Sequence, residues 1–87
     1  MYYAYILQSK KDSRLYKGFT TDLKKRLLEH NNGLVTSTKP WRSWKLIYYE
    51  AYLDKKDSIA REKYLKSGWG KRYIDKTLRH YFQQTTK

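Results

Sequence analysis

Tyr3-Ala4-Tyr5-Ile6-Leu7-Gln8-Ser9 and Arg14-Leu15-Tyr16-Lys17-Gly18-Phe19-Thr20, joined by Lys10-Lys11-Asp12-Ser13, decide the fold. Thr21-Asp22-Leu23-Lys24-Lys25-Arg26-Leu27-Leu28-Glu29-His30 follows at once. Residues 2–9 are rich in strand formers and apolar on both alternating sets, Tyr3, Tyr5 and Leu7 on one and Ala4 and Ile6 on the other. A strand of that kind is expected to be covered on both faces. The polar break at residues 10–13 suits a hairpin loop, and residues 14–20 read as the returning strand. If Ser9 faces Arg14, then Leu7 faces Tyr16 and Tyr5 faces Gly18. Tyr5 and Tyr16 then share one face as diagonal neighbours. A slip of one residue separates them.

Thr20 or Thr21 is expected to cap the first helix, with Asp22 near its positive end. Leu23, Leu27 and Leu28 supply its buried stripe, and Arg26 and His30 lie one turn apart on one face. Asn31-Asn32-Gly33 ends it, Gly33 or an Asn being suited to a left-handed cap. Residues 34–43, small and Ser/Thr-rich with Lys39-Pro40, read as a loop. There Lys39, Arg42 and Lys45 interleave with Trp41 and Trp44. Two readings stand side by side: a basic aromatic loop that grips a nucleic-acid backbone, or tryptophans that pin the loop to the core.

Residues 44–53 form the third strand, and Asp54 and Asp57 start a second helix over residues 55–66. Ser67-Gly68 ends it. Gly70 precedes a third helix with a stripe of Ile74, Leu78 and Tyr81/Phe82. The predicted fold is α+β, a small three-stranded antiparallel sheet flanked by helices in the order β-β-α-β-α-α. Residues 1–82 are expected to form a single domain and 83–87 a polar tail.

Twenty Lys and Arg against eight Asp and Glu give the 87 residues a formal charge of +12. Fifteen aromatic side chains accompany that charge, ten of them tyrosine. Basic groups neutralise phosphates and aromatic faces stack on bases, so a polyanionic partner is expected. There is no cysteine, which excludes disulfides and thiolate metal sites. No apolar run approaches the roughly 20 residues of a membrane span. The N-terminus has no charged stretch leading into an apolar block, so no cleaved signal is expected and the expected location is cytoplasmic. No standard motif for zinc, a P-loop, a dinucleotide fold or a Ser-His-Asp triad is present.

Glu62 is the odd residue of the second helix, three positions from both Ile59 and Leu65. A carboxylate there is either a rim group paired with Lys66 or Lys55, or a buried one with a partner. Together with Tyr3-Ala4-Tyr5, Tyr16-Lys17-Gly18, Arg26 and His30, and with the phrase Glu62-Lys63-Tyr64-Leu65-Lys66-Ser67-Gly68, it resembles the GIY-YIG nuclease family. The likeness is to a small stand-alone member and spans residues 2 to about 70. It implies cleavage of DNA phosphodiester bonds, with low sequence specificity in a chain lacking an appended recognition domain, in DNA repair or recombination. One Mg²⁺ or Mn²⁺ ion is implied, with Glu62 as its sole protein ligand. Tyr16 is implied to be the general base or to orient the attacking water, and Tyr5 to support it. Arg26 is implied to stabilise charge on the phosphate, with His30 near the nucleophile.

Nucleic-acid contacts are expected from Lys17, Lys24, Lys39, Arg42, Lys45 and Lys66. The substrate is expected to be DNA, branched or single-stranded, with a protein partner supplying specificity. A second reading is a non-catalytic nucleic-acid-binding module that retains the fold. It is motivated by Tyr3, Ala4 and Lys17 within the triplets and by the lack of any Asn after Asn32. A third is a structural or protein-interaction domain whose basic surface is generic.

Overall fold

The computed structural model describes residues 1–85. Strand β1 (Tyr2–Ser9) lies between β2 (Leu15–Thr20) and β3 (Trp44–Tyr52), and both pairings are antiparallel. Leu7 faces Tyr16 and Tyr5 faces Gly18, the register read from the sequence. As expected for a strand apolar on both sides, Ala4 through Ser9 are buried. Ala4 and Ile6 pack with Leu65 and Ile74 on one face, while Tyr5, Leu7 and Trp44 form a second cluster on the other. A register shift between Ile6 and Leu7 leaves Ile47 as a bulge in β3.

Helix α1 (Leu23–Asn31) covers the Tyr5 face through Leu23 and Leu27, whereas Leu28 is 56% exposed and outside the stripe. Its N-cap is Asp22, not Thr20 or Thr21. The Asp22 carboxylate accepts the Lys25 N–H, and Thr20 Oγ1 accepts the Asp22 N–H, which turns the chain into the helix. At the other end Gly33 N–H donates to His30 O and Leu34 N–H to Glu29 O, with Gly33 at φ +76°. This is a Schellman termination, and it fixes His30 in the last turn. A short 3-10 turn spans Lys39–Trp41. Trp41 packs against the Tyr5 cluster, and Trp44, 3% exposed, donates its indole N–H to Thr38 O at 3.0 Å. Of the two readings of this loop, the tryptophans serve as anchors.

Helix α2 (Lys55–Lys66), capped by Asp54, lies on the Ala4/Ile6 face. Ser67 both ends it and caps α3 (Gly68–Thr77), accepting the Gly70 N–H at 3.2 Å. The third helix therefore starts before Gly70. It breaks at Leu78, and α4 (Arg79–Thr85) follows directly. Gln83 and Gln84, read from sequence as the start of a polar tail, are helical; Thr86 and Lys87 lie outside the described residues.

Candidate active site

Tyr5 leans over β2. The phenol end of its ring lies against Gly18, where an added Cβ would sit 2.4 Å from the phenol oxygen. A side chain at position 18 would occupy that space, which is the physical reason for the glycine. The phenol reaches His30 Nε2 at 2.9 Å. Nδ1 of His30 lies 2.7 Å from Thr38 Oγ1, and that hydroxyl lies 3.3 Å from Val35 O. Since Val35 O can only accept, Thr38 donates to it and accepts from His30 Nδ1–H. Nε2 is then the acceptor of the Tyr5 proton. The relay runs Tyr5 to His30 to Thr38 to Val35, and His30 is wholly buried within it.

Burial takes the His30 imidazole down to about 4, the Arg26 charge adding to the effect and Glu29 opposing it. Burial likewise pushes the Tyr5 phenol up to about 12, against the hydrogen bond from Arg26. The charges of Tyr16 and Glu62 push the same phenol further up. Arg26 is held above its ordinary value, first by its hydrogen bond to Tyr5 and then by Glu29, while its partial burial opposes both. Its Nη1 pairs with Glu29 at 3.0 Å.

Tyr16 is placed differently. Its ring lies 6.4 Å from that of Tyr5, 5.0 Å from His30 and 6.3 Å from Trp44. It is half-exposed, and its hydroxyl makes no hydrogen bond among the described residues. Two tyrosines of similar sequence context therefore differ in kind: Tyr5 is locked into a buried relay, and Tyr16 offers a free phenol at the surface.

Glu62 comes from α2, and its orientation is set from the neighbouring position. Arg61 grips Glu50 of β3 through Nε at 2.9 Å and Nη2 at 3.1 Å. Its guanidinium also stacks on Tyr64 and Tyr73 at 4.7 and 4.4 Å. Glu50 further accepts the hydroxyls of Tyr48 and Tyr52. Burial works against that carboxylate, yet the tyrosine hydroxyls and Arg61 together hold it below its ordinary value. A bidentate clamp at Arg61 fixes the rotation of α2 and so the direction of Glu62. The Glu62 side chain is 20% exposed, and Lys66 Nζ stands 3.4 Å from it.

Among the described residues no group of three or more His, Cys, Asp or Glu could cage a metal. One accessible carboxylate beside a surface that admits water is nonetheless compatible with Mg²⁺, which keeps most of its hydration shell.

Tyr5, Tyr16, Arg26 and His30 thus come together, with Glu62 near enough for its charge to act on Tyr5. The basic residues expected to contact nucleic acid come from several elements. Lys17 and Lys66 line a cleft between β2 and the α2–α3 junction. Lys24 is exposed on α1, and Lys39 opens the 3-10 turn. The Arg42 guanidinium lies against Gly33, and Lys45 stands 5.1 Å from the Tyr81 ring.

Three supporting residues stand outside the set expected from the sequence. Thr38 sits in a Ser/Thr-rich loop that offers several equivalent hydroxyls. Asn31 was read only as part of a helix end, yet its side chain holds Trp44 by both backbone groups. Glu50 had a visible sign, a lone acid inside an aromatic strand, but its partner Arg61 lies on another element.

The family model for the GIY-YIG catalytic domain matches residues 1–77. A UPF0213 protein of Clostridium perfringens is 42% identical over 67 residues, which is 76% of this chain and 71% of that one. A UPF0213 protein of Staphylococcus saprophyticus is 37% identical over 67 residues, 76% and 80% of the two chains. The solution NMR structure of a UPF0213 protein from Bacillus halodurans superposes with a TM-score of 0.51 at 29% identity, covering 85% of this chain and 82% of that one. GIY-YIG proteins are a nuclease family whose members generally use divalent metal ions. With this sheet, this hairpin register and this match over nearly its whole length, the chain belongs to the GIY-YIG family and to its small UPF0213 branch.

Proposed function

We propose that the protein is a divalent-metal-dependent DNA endonuclease that hydrolyses phosphodiester bonds with low sequence specificity. The observation that carries this reading is the convergence of Tyr5, Tyr16, Arg26 and His30. A phosphodiester carries a charge that repels nucleophiles and has a poor alkoxide leaving group. Arg26 is a fork of donors that neutralises phosphate oxygens while it still holds Glu29.

Tyr16, with its free hydroxyl, orients the attacking water and, once its own proton has gone to solvent, accepts the water's proton as the phenolate. Tyr5 does not take that role, because its proton is committed to His30 and its acidity is suppressed. His30, buried and neutral, is a positioning residue that acts through Tyr5 and the Tyr16 ring. Glu62 would hold the ion, Mg²⁺ or Mn²⁺, which supplies charge stabilisation at the leaving oxygen. Lys66 would have to yield part of its pairing with Glu62 for that to happen.

The test uses purified protein with branched, single-stranded and duplex DNA in Mg²⁺ or Mn²⁺. Cleavage is expected, with a loss of 100-fold or so, on the order expected for a catalytic acid–base group, in Tyr16→Phe. It is expected to vanish in Glu62→Ala. Cleavage that persists in both variants would refute this assignment. Binding without cleavage would instead assign the chain as a nucleic-acid-binding module that keeps the nuclease fold.

A further inference from the structure

Trp69 is 70% exposed, unlike Trp41 and Trp44, which pack inward. It lies in the first turn of α3, and the Arg72 guanidinium stands 5.2 Å from its ring. Its neighbour Gly68 borders two hollows at once. One is the shallow surface beside Trp69 and Arg72. The other is a cleft of about 490 Å³ whose charged lining is Arg14, Lys17, Lys66, Lys71 and Asp75. The Arg14 guanidinium is held by Asp12 and the Trp41 ring, so three lysines face one carboxylate.

Lys17 is half-buried there, and its ammonium is held below its ordinary value, by burial first and then by Lys71 and Lys66, with Asp75 opposing. Bringing like charges together at a half-buried position costs stability, and an anion in the cleft would remove that repulsion. Lys66 also pairs with Glu62, so the cleft adjoins the carboxylate assigned above to the metal.

We propose that Trp69 and this cleft form a subsite for an unpaired nucleic-acid strand. One base stacks on the Trp69 face, and the neighbouring phosphates lie along Lys17, Lys66 and Lys71. The proposal deepens the DNA reading above by naming the form of substrate that approaches Glu62. A duplex keeps its base faces stacked inside the helix and has none to give an indole. An unpaired strand offers both a face and a flexible backbone, and stacking on it is tolerant of sequence. The excess of cations in the cleft selects a polyanion over an apolar protein surface.

The experiment measures fluorescence anisotropy of a labelled short oligothymidylate and of a duplex of equal length, in chelator and without divalent metal. The single strand is expected to bind more tightly. Trp69→Ala is expected to weaken it roughly 5- to 150-fold with an unchanged salt slope. Lys71→Gln, at an exposed position, is expected to reduce the slope of log affinity against log salt by about 0.7. Circular dichroism confirms that both variants stay folded.

The proposal is overturned if both variants bind the single strand as the parent does. It is equally overturned if Trp69→Ala alters only self-association in sedimentation. Metal-free binding is read separately from cleavage. A chain that holds the strand through Trp69 but cuts nothing keeps the subsite and loses the nuclease reading. A chain that cuts DNA while Trp69→Ala binds as the parent loses the subsite and keeps the nuclease.

Discussion

Burial keeps His30 and Tyr5 uncharged, and this has a consequence for stability. Unfolded, the imidazole titrates near 6.5; folded, near 4. Arg26 and Glu29 are the charged groups facing it from α1, and Tyr5 and Tyr16 are the titratable ones facing it from the sheet. Because the folded site binds a proton less readily, its contribution is full above pH 6.5 and is lost as pH falls toward 4. Between pH 7 and pH 5 the loss is expected to be about 2 kcal/mol. Glu50, held below its ordinary carboxylate range, loses its contribution only at lower pH. Urea unfolding at the two pH values reads the effect. In His30→Gln the difference between them should shrink toward zero, and an undiminished difference would assign it to another group.

At the same scale, Gly18→Ala places a methyl where the Tyr5 phenol lies. The ring must lift and the bond to His30 must break. Cleavage should fall by at least about 10-fold, with a loss of stability of roughly 1–3 kcal/mol from overpacking. A variant that cleaves like the parent would show that the Tyr5–His30 contact is dispensable.

At the scale of elements, what the sequence revealed depended on how local the cause was. The hairpin register was readable because the polar break and two short strands left little freedom. It carried Tyr5 and Tyr16 onto one face, as read. The start of α1 was misread because Thr20, Thr21 and Asp22 are all good caps. Thr20 is spent on the turn that precedes the helix, and Asp22 takes the cap. The bulge at Ile47 and the break at Leu78 answer to packing against other elements, so nothing near them in sequence announces either. The clamp of Arg61 on Glu50, next to Glu62, is likewise non-local, since it joins β3, α2 and a tyrosine of α3.

Gly70 shows how tightly the last elements meet. A Cβ there would lie 2.1 Å from the Tyr64 carbonyl oxygen and 2.5 Å from Leu65 Cα. Both are backbone atoms of α2 and cannot step aside. Gly70→Ala should therefore destabilise by about 3 kcal/mol or more, lowering the melting temperature by roughly 12–24 °C. Thermal unfolding by circular dichroism checks this, and a shift of a few degrees or less would mean that α3 re-seats without strain.

Across the whole molecule the formal charge is +12. Encounter with a polyanion is then favoured at long range. Affinity for DNA should fall roughly 10³-fold or more between 50 and 200 mM salt for about six phosphate contacts. A shallow dependence would mean that few of these charges touch the backbone. No helix among the described residues is long and apolar enough to cross a membrane.

The clasp of Asn31 on Trp44 bears on edge-to-edge pairing between copies of this chain. In the order β2-β1-β3, strand β3 has an open side. The Asn31 amide donates to Trp44 O at 3.1 Å, and its oxygen accepts the Trp44 N–H at 2.6 Å. One side chain thereby imitates a neighbouring strand at the point where β3 begins. Farther along, the bulge at Ile47 interrupts the flat edge. An incoming strand finds its first pairing position occupied and the next stretch out of step. For a small chain rich in tyrosine, that is a barrier to aggregation built from a helix end already needed to place His30.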